Sequence, residues 1–280
     1  MEILITNDDG YKAKGIRTLA RIMAAFGEVT VIAPKHHQSA MSMAVSLGLK
    51  KLAWKSLPEF GPGEWSYLDA TPASCVKFAM NYKFRDRHPD VVVTGINHGT
   101  NATSAANYSA TLGAADEGAL NGCRAIGVSL GDFRPDADFS AIEALFPDIF
   151  RMLMENWPED AYGLMYNVNF PPRPLEEIRG VRFTRQGKGH WIKEFREWDV
   201  QFLREQNLDD EFYWQAVDRP LEPGEKGYMM IGTFVDDETD ESAVDADHRL
   251  LEEGYVTITP NRLDRTDYAE LERRRNIPKP

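Results

Sequence analysis

The sequence predicts an α/β fold: a mostly parallel sheet followed by a strand-rich C-terminal extension. Three observations predict it. Short apolar runs such as Ile3–Ile5, Val29–Ala33 and Val91–Val93 are too brief for helices and too continuous for half-exposed strands, so they read as strands covered on both faces. The first two are joined by a segment with helical spacing, and strand, helix and strand within about 35 residues make a βαβ unit with parallel strands and a right-handed crossover. Beyond about residue 173, strand-like pieces and polar loops replace the alternation of strand and helix, which divides the chain into a core over 1–185 and an extension or oligomerisation arm over 186–280.

In chain order, Glu2–Thr6 is a strand that stops abruptly in Asn7-Asp8-Asp9-Gly10. Between Tyr11 and Phe26, the residues Ile16, Leu19, Ala20, Met23 and Phe26 mark one face of a helix, and Gly27 stops it. Glu28–Pro34 is the second strand, and Lys35–Ser42 is a polar loop whose His36 and His37 read as surface histidines. Residues 45–67 predict irregular structure or a hairpin around the Pro/Gly-rich turn at 58–63. Thr71-Pro72 supplies an N-cap and a proline at the first helical position, opening a helix to about Tyr82. Val91–Asn97 is the clearest buried strand. Tyr108–Gly113 opens a helix reaching about Gly122, with Ser109 and Thr111 in its first turn and Ser109 a candidate N-cap. Ala125–Leu130 is a strand, and Phe139–Trp157 is an amphipathic helix that Pro147 is expected to kink or divide. Leu164–Phe170, Val181–Arg185, Phe212–Ala216 and Tyr255–Thr259 are further strands. The acidic run 236–247 lacks the glycine and spacing of a calcium loop and reads as solvated, as does the helix end at Glu272–Arg275.

Composition narrows the function classes. With 280 residues, 42% of them hydrophobic, the chain can bury a substantial core. A net charge of −12 argues against nucleic-acid binding, and an anionic substrate would need a local positive centre. Cys75 and Cys123 form neither a disulfide framework nor a zinc cluster and read as small core residues in a reducing compartment. No stretch approaches a membrane span and the chain opens directly on a strand, so the expected location is the cytoplasm, with no membrane partner.

The candidate site lies at the carboxyl ends of the strands, where open parallel sheets bind ligands. Adjacent carboxylates repel, and burying Asp8 and Asp9 unpaired costs several kcal/mol, roughly. A hard cation such as Mg²⁺ or Mn²⁺ removes that cost. Asn97, an uncharged oxygen donor, and Ser39, on the loop after the second strand, leave the same edge. So does the helix start at Ser109, Ala110 and Thr111, whose free N–H groups form a natural phosphate cradle. A cation beside a phosphate cradle predicts phosphoryl chemistry, with Asp9 taking a proton from or orienting an attacking water.

Several of these residues also carry a family resemblance. Asn7-Asp8-Asp9-Gly10, Ala33-Pro34 with Gln38-Ser39, Thr94-Gly95-Ile96-Asn97, Tyr108-Ser109-x-Thr111, Glu117-Gly118 and Gly254–Pro260 together resemble the SurE survival-protein family, nearly end to end. The resemblance implies a Rossmann-like three-layer core and a metal-dependent phosphatase hydrolysing nucleoside 5′- or 3′-monophosphates, in some members also short polyphosphate. It implies metal ligands at Asp8, Asp9, Ser39 and Asn97, with one divalent cation per subunit. It also implies phosphate contacts at Asn97 and Ser109 to Thr111, and a homodimer or homotetramer formed through an exchanged C-terminal arm. The chain departs from the family pattern at Ala110, where glycine is usual, at Ala102-Thr103 and at Ala70–Cys75. A left-handed backbone at Ala110 would strain it, and a phosphate approaching closely there would be crowded. Two other readings compete: a nucleotide-binding protein with little turnover, and a receiver-type phosphoacceptor module. The receiver reading requires an aspartate at the end of the strand where Gly95 and Asn97 stand.

Overall fold

The structure is a computed structural model and describes residues 1–48, 51–205, 220–239 and 243–275. Its centre is a nine-stranded sheet. Strands β1 (Glu2–Thr6), β2 (Glu28–Pro34), β3 (Trp54–Ser56), β4 (Glu64–Leu68), β5 (Val91–His98), β6 (Arg124–Leu130), β7 (Leu164–Phe170), β8 (Val181–Phe183) and β13 (Val256–Arg262) lie in the order β3-β4-β2-β1-β5-β6-β7-β13-β8. The six strands from β4 to β7 in that order are parallel. At one end β3 runs antiparallel to β4, and at the other β13 runs antiparallel to β7. The hairpin alternative for residues 45–67 is therefore the one adopted.

Alternation along β1 explains the layers. Ile3 and Ile5 join one apolar cluster and Leu4 another, so both faces of the strand are covered. Helices α1 (Lys14–Met23) and α4 (Ser140–Glu155) cover the first face with Ile16, Leu19, Met23, Phe146, Ile149 and Phe150. Helices α2 (Pro72–Phe78) and α3 (Ala110–Leu120) cover the second with Cys75, Val76 and Ala114. Both cysteines are buried and free. Together these layers make the α/β fold that the alternation predicts, with the Rossmann-like layering that the resemblance implies. Pro147 does not divide α4. Its lost hydrogen bond is outweighed where Phe146, Ile149, Phe150 and Leu153 are all buried around it.

The extension returns to the core, since β13 inserts between β7 and β8. Outside the sheet, β9 (Gly189–Ile192) pairs with β12 (Thr233–Asp236), and β10 (Phe195–Glu197) with β11 (Tyr228–Met230), both antiparallel. The expected strand Phe212–Ala216 lies outside the described residues. The acidic run is not simply solvated: Asp247 at its end is completely buried. Among the described residues no helix is long and apolar enough to cross a membrane.

From β1 the chain goes to β2 and β4 on one side and then returns to β5 on the other. The crevice beyond the ends of β1 and β5 is thus the topological switch point, where this class of sheet binds ligands.

Candidate active site

Local folding brings the acidic pair to that crevice. Thr6 and Thr94 are register partners, so the residues that follow β1 emerge beside the last residues of β5. Asn7 Nδ2 donates to the Gly10 carbonyl at 3.0 Å, folding the chain back across Asp8 and Asp9. Gly10 has φ of +94°, a left-handed turn that glycine adopts without strain. The Gln38 amide donates to the Asp8 carbonyl at 2.7 Å, which holds the loop after β2 against the same turn.

Side chains complete the convergence. Asp9 Oδ2 accepts from the His98 amide at 3.3 Å, so the second acid touches the residue next to Asn97. Asp8 Oδ1 accepts from Thr111 Oγ1 at 2.5 Å, and the Thr111 carbonyl accepts from Thr94 Oγ1 at 2.8 Å. Asn97 is buried, and its Nδ2 donates to the Gly99 carbonyl at 2.8 Å, leaving the amide oxygen as its remaining polar atom. Ser39 lies one residue past Gln38 and is exposed. Ser109 is the N-cap of α3, its Oγ accepting from the Leu112 amide at 3.1 Å. Ala110 is the first residue of that helix and is not among the residues with positive φ, so alanine sits there unstrained.

Sequence reasoning missed several neighbours. His37 is not a simple surface histidine: its Nδ1 lies 3.5 Å from Asp9 Oδ1. No motif gives that contact away, because it depends on how the loop folds back. The segment after Asn97 is also fixed from below. Asn169 Oδ1 accepts from the Asn101 amide at 2.8 Å, Asn101 Nδ2 donates to Ser129 Oγ at 2.8 Å, and Asn167 Nδ2 donates to the Asn101 carbonyl at 2.9 Å. Asn167 and Asn169 lie on β7 and Ser129 on the neighbouring β6, and polar residues inside otherwise apolar strands were the available signal.

Among the described residues, the electrostatics are those of an acid pair without a counter-charge. Burial raises the Asp8 carboxyl to about 6, against a lowering by the Thr111 hydroxyl. Burial and then the charge of Asp8 raise Asp9 well above the usual carboxylate range. His37 does not neutralise them, since burial and then His98 push its imidazole down to about 4. Among the described residues no Lys or Arg pairs with either acid, and Asp9 Oδ1 is buried without accepting a hydrogen bond. A divalent cation fits this donor set, because it is all oxygen and short of positive charge. No group of three or more His, Cys, Asp or Glu gathers for a metal among the described residues, so a cation here would be held by two carboxylates and neutral oxygens.

Comparison with known proteins agrees with this architecture. The family model described as survival protein SurE matches residues 3–193. A protein named 5′-nucleotidase SurE from Cytophaga hutchinsonii is 36% identical over 271 residues, covering 96% of this chain and 93% of its own length. A protein of the same name from Bacteroides fragilis is 36% identical over 266 residues, covering 95% and 93%. The crystal structure of the SurE protein from Aquifex aeolicus superposes with a TM-score of 0.74 at 26% identity, covering 97% of both chains.

Proposed function

The chain belongs to the SurE survival-protein family, and from that premise we propose that it is a 5′-nucleotidase: a metal-dependent phosphomonoesterase that hydrolyses nucleoside 5′- or 3′-monophosphates to nucleoside and phosphate. The observation that carries this reading is the buried Asp8–Asp9 pair, without a Lys or Arg partner among the described residues, beside the start of α3. Asp8, Asp9, Asn97 and Ser39 would hold one Mg²⁺ or Mn²⁺ per subunit. When bound, such a cation supplies positive charge to the phosphoryl oxygens and lowers the pKa of an adjacent water.

The chain's own residues do the rest. We assign the first N–H groups of α3, at Ala110 and Thr111, to the phosphoryl oxygens, because the first turn of a helix has no intrahelical acceptors for them. Asn97 and Ser109 border the same position. Thr111 has a second role, since its hydroxyl fixes the rotamer of Asp8. Asp9, with one oxygen free of hydrogen bonds, takes the proton of the attacking water as the water oxygen bonds to phosphorus and the bond from phosphorus to the ribose oxygen breaks, and the ribose oxygen takes up a proton from solvent. The helical backbone at Ala110 removes strain as a reason to expect a binder with little turnover, and the absence of aspartate at the end of β5 disfavours a receiver-type phosphoacceptor.

A phosphate-release screen over nucleoside monophosphates tests the proposal. Release is expected with Mn²⁺ or Mg²⁺, to fall to background in EDTA, and to return when the metal is restored. Release that persists unchanged in EDTA, or none with any monophosphate, would overturn it.

The extension supports a second expectation. Phe195, Tyr228 and Met230 on the β10–β11 ribbon are 71%, 54% and 64% exposed, more apolar surface than a small two-stranded ribbon carries comfortably in water. We propose that a second copy of the chain covers it, giving a homodimer or homotetramer. Light scattering on the eluting protein should read a multiple of the 31.7 kDa chain mass; a monomer at micromolar concentration would count against it.

A further inference from the structure

Asp247 lies at the far end of the acidic run, yet its carboxylate is completely buried and receives three backbone amides. Its Oδ1 accepts from Gly187 at 2.9 Å and from His248 at 2.8 Å. The third donor is 144 residues away in sequence: the amide of Thr103, 3.1 Å from Oδ2 and 3.3 Å from Oδ1. From the other side, Gln186 Nε2 donates to the Thr103 carbonyl at 2.7 Å. Both backbone polar groups of one residue are therefore taken by side chains of the extension.

Thr103 is a telling residue to hold in this way. It lies between Asn97 and Ser109, in the connection from the end of β5 to the start of α3. Its φ is +56°, a left-handed conformation that a β-branched residue adopts only when its surroundings impose it. Two residues earlier, Asn101 is fastened to Asn167, Asn169 and Ser129 of the core. The core thus fixes the first half of the connection and the extension fixes the second.

We propose that Asp247 is a positioning residue: with Gln186 it clamps Thr103 and so sets how the strand end carrying Asn97 and the helix start at Ser109 face each other. The extension would then shape the pocket as well as serve as an arm. The carboxylate does not touch the proposed cation or phosphate; it acts through the loop. Its connection to turnover rests on the pocket's being the phosphate-release site argued above.

Asp247→Asn separates the contacts. An amide oxygen can replace Oδ1 toward Gly187 and His248, while its NH₂ then faces the Thr103 N–H, donor against donor. With the full chain, AMP and Mn²⁺, kcat is expected to fall on the order of 10–100-fold, the scale that misplaced groups cost an active site. Hydrogen exchange should quicken across residues 99–107 and stay unchanged in β1 and β5. Wild-type kcat together with unchanged exchange at 99–107 would overturn the proposal. So would exchange rising equally through β1 and β5, the mark of a merely structural role. Should D247N not fold, Gln186→Leu reads the clamp from the carbonyl side, and wild-type kcat and exchange in that variant would equally overturn it. If the wild type releases no phosphate from AMP, the proposed function fails separately; the exchange measurement still decides the clamp.

Discussion

Asp8→Asn is expected to leave the fold intact and to reduce phosphate release on the order of 10³-fold, the upper range for removing one charge-stabilising group from an active site. Asn keeps an oxygen for the Thr111 hydroxyl but loses the charge that a divalent cation needs. The same substitution has an opposite effect on the metal-free protein. Burial raises the Asp8 carboxyl from 3.8 to about 6. Between pH 4 and 6, roughly, the folded metal-free chain keeps a proton that the unfolded chain has released, so acidification through that window favours the fold. Above about 6 the penalty of the buried charge is present in full. Asp116 is also raised to about 6 by burial and moves stability in the same direction, but it is common to both proteins, so the difference between wild type and D8N reads Asp8 together with the effect of its charge on Asp9. In EDTA at pH 7, D8N should melt above the wild type by about 2–4 °C for each kcal/mol relieved. The gap should narrow as the pH falls toward 4. Adding Mn²⁺ should raise the melting temperature of the wild type and not of D8N. Calorimetry from pH 4 to 8, with and without Mn²⁺, reads all of this. A D8N protein with wild-type turnover, or a wild type whose metal-free stability falls as pH drops from 7 to 5, would refute the assignment.

How much of this was legible in the sequence depended on whether a signal was local. The strand ends carrying Asp8, Asp9 and Asn97 were legible because a strand covered on both faces is a continuous apolar run, and an acid or amide at its end stands out. The N-cap role of Ser109 followed from the same local grammar. What escaped depends on partners distant in sequence. Helical phase does not say which strand the Thr111 hydroxyl meets, so its bond to Asp8 was not foreseen. His37 reads as a surface residue because nothing beside it in sequence resembles a ligand; its neighbour Asp9 is brought there by the return of the loop. Asp247 was hidden by composition, since one buried acid among exposed acids looks the same as the rest. Pro147 does not divide α4 for an energetic reason: propensity assigns it a cost of about 3 kcal/mol, and the large side chains buried around it outweigh that cost.

Gly15→Ala is the second large effect, and here local and tertiary rules disagree in sign. Gly15 lies inside α1, where alanine is favoured over glycine by about 1 kcal/mol. On propensity alone the variant should be more stable. Yet a Cβ at this position would stand 2.1 Å from the Ile96 carbonyl oxygen and 3.1 Å from its carbonyl carbon. The helix therefore rests directly on the main chain of β5, one residue before Asn97. No flexible side chain can swing aside, so the helix or the strand must move. Overpacking a rigid contact costs about 1–3 kcal/mol and more when both partners are backbone, which exceeds the helical gain. G15A should melt lower by about 2–4 °C per net kcal/mol. It should also lose turnover more steeply than stability, because the displaced strand carries Asn97. Gly122→Ala is the control. Gly122 has φ of +78° with nothing within 4 Å of the added carbon, so alanine there costs stability through backbone strain and leaves turnover alone. G15A and G122A proteins that lose equal stability and equal activity would mean that α1 does not set the position of Asn97, and a G15A protein as stable as the wild type would mean that helix and strand do not touch there.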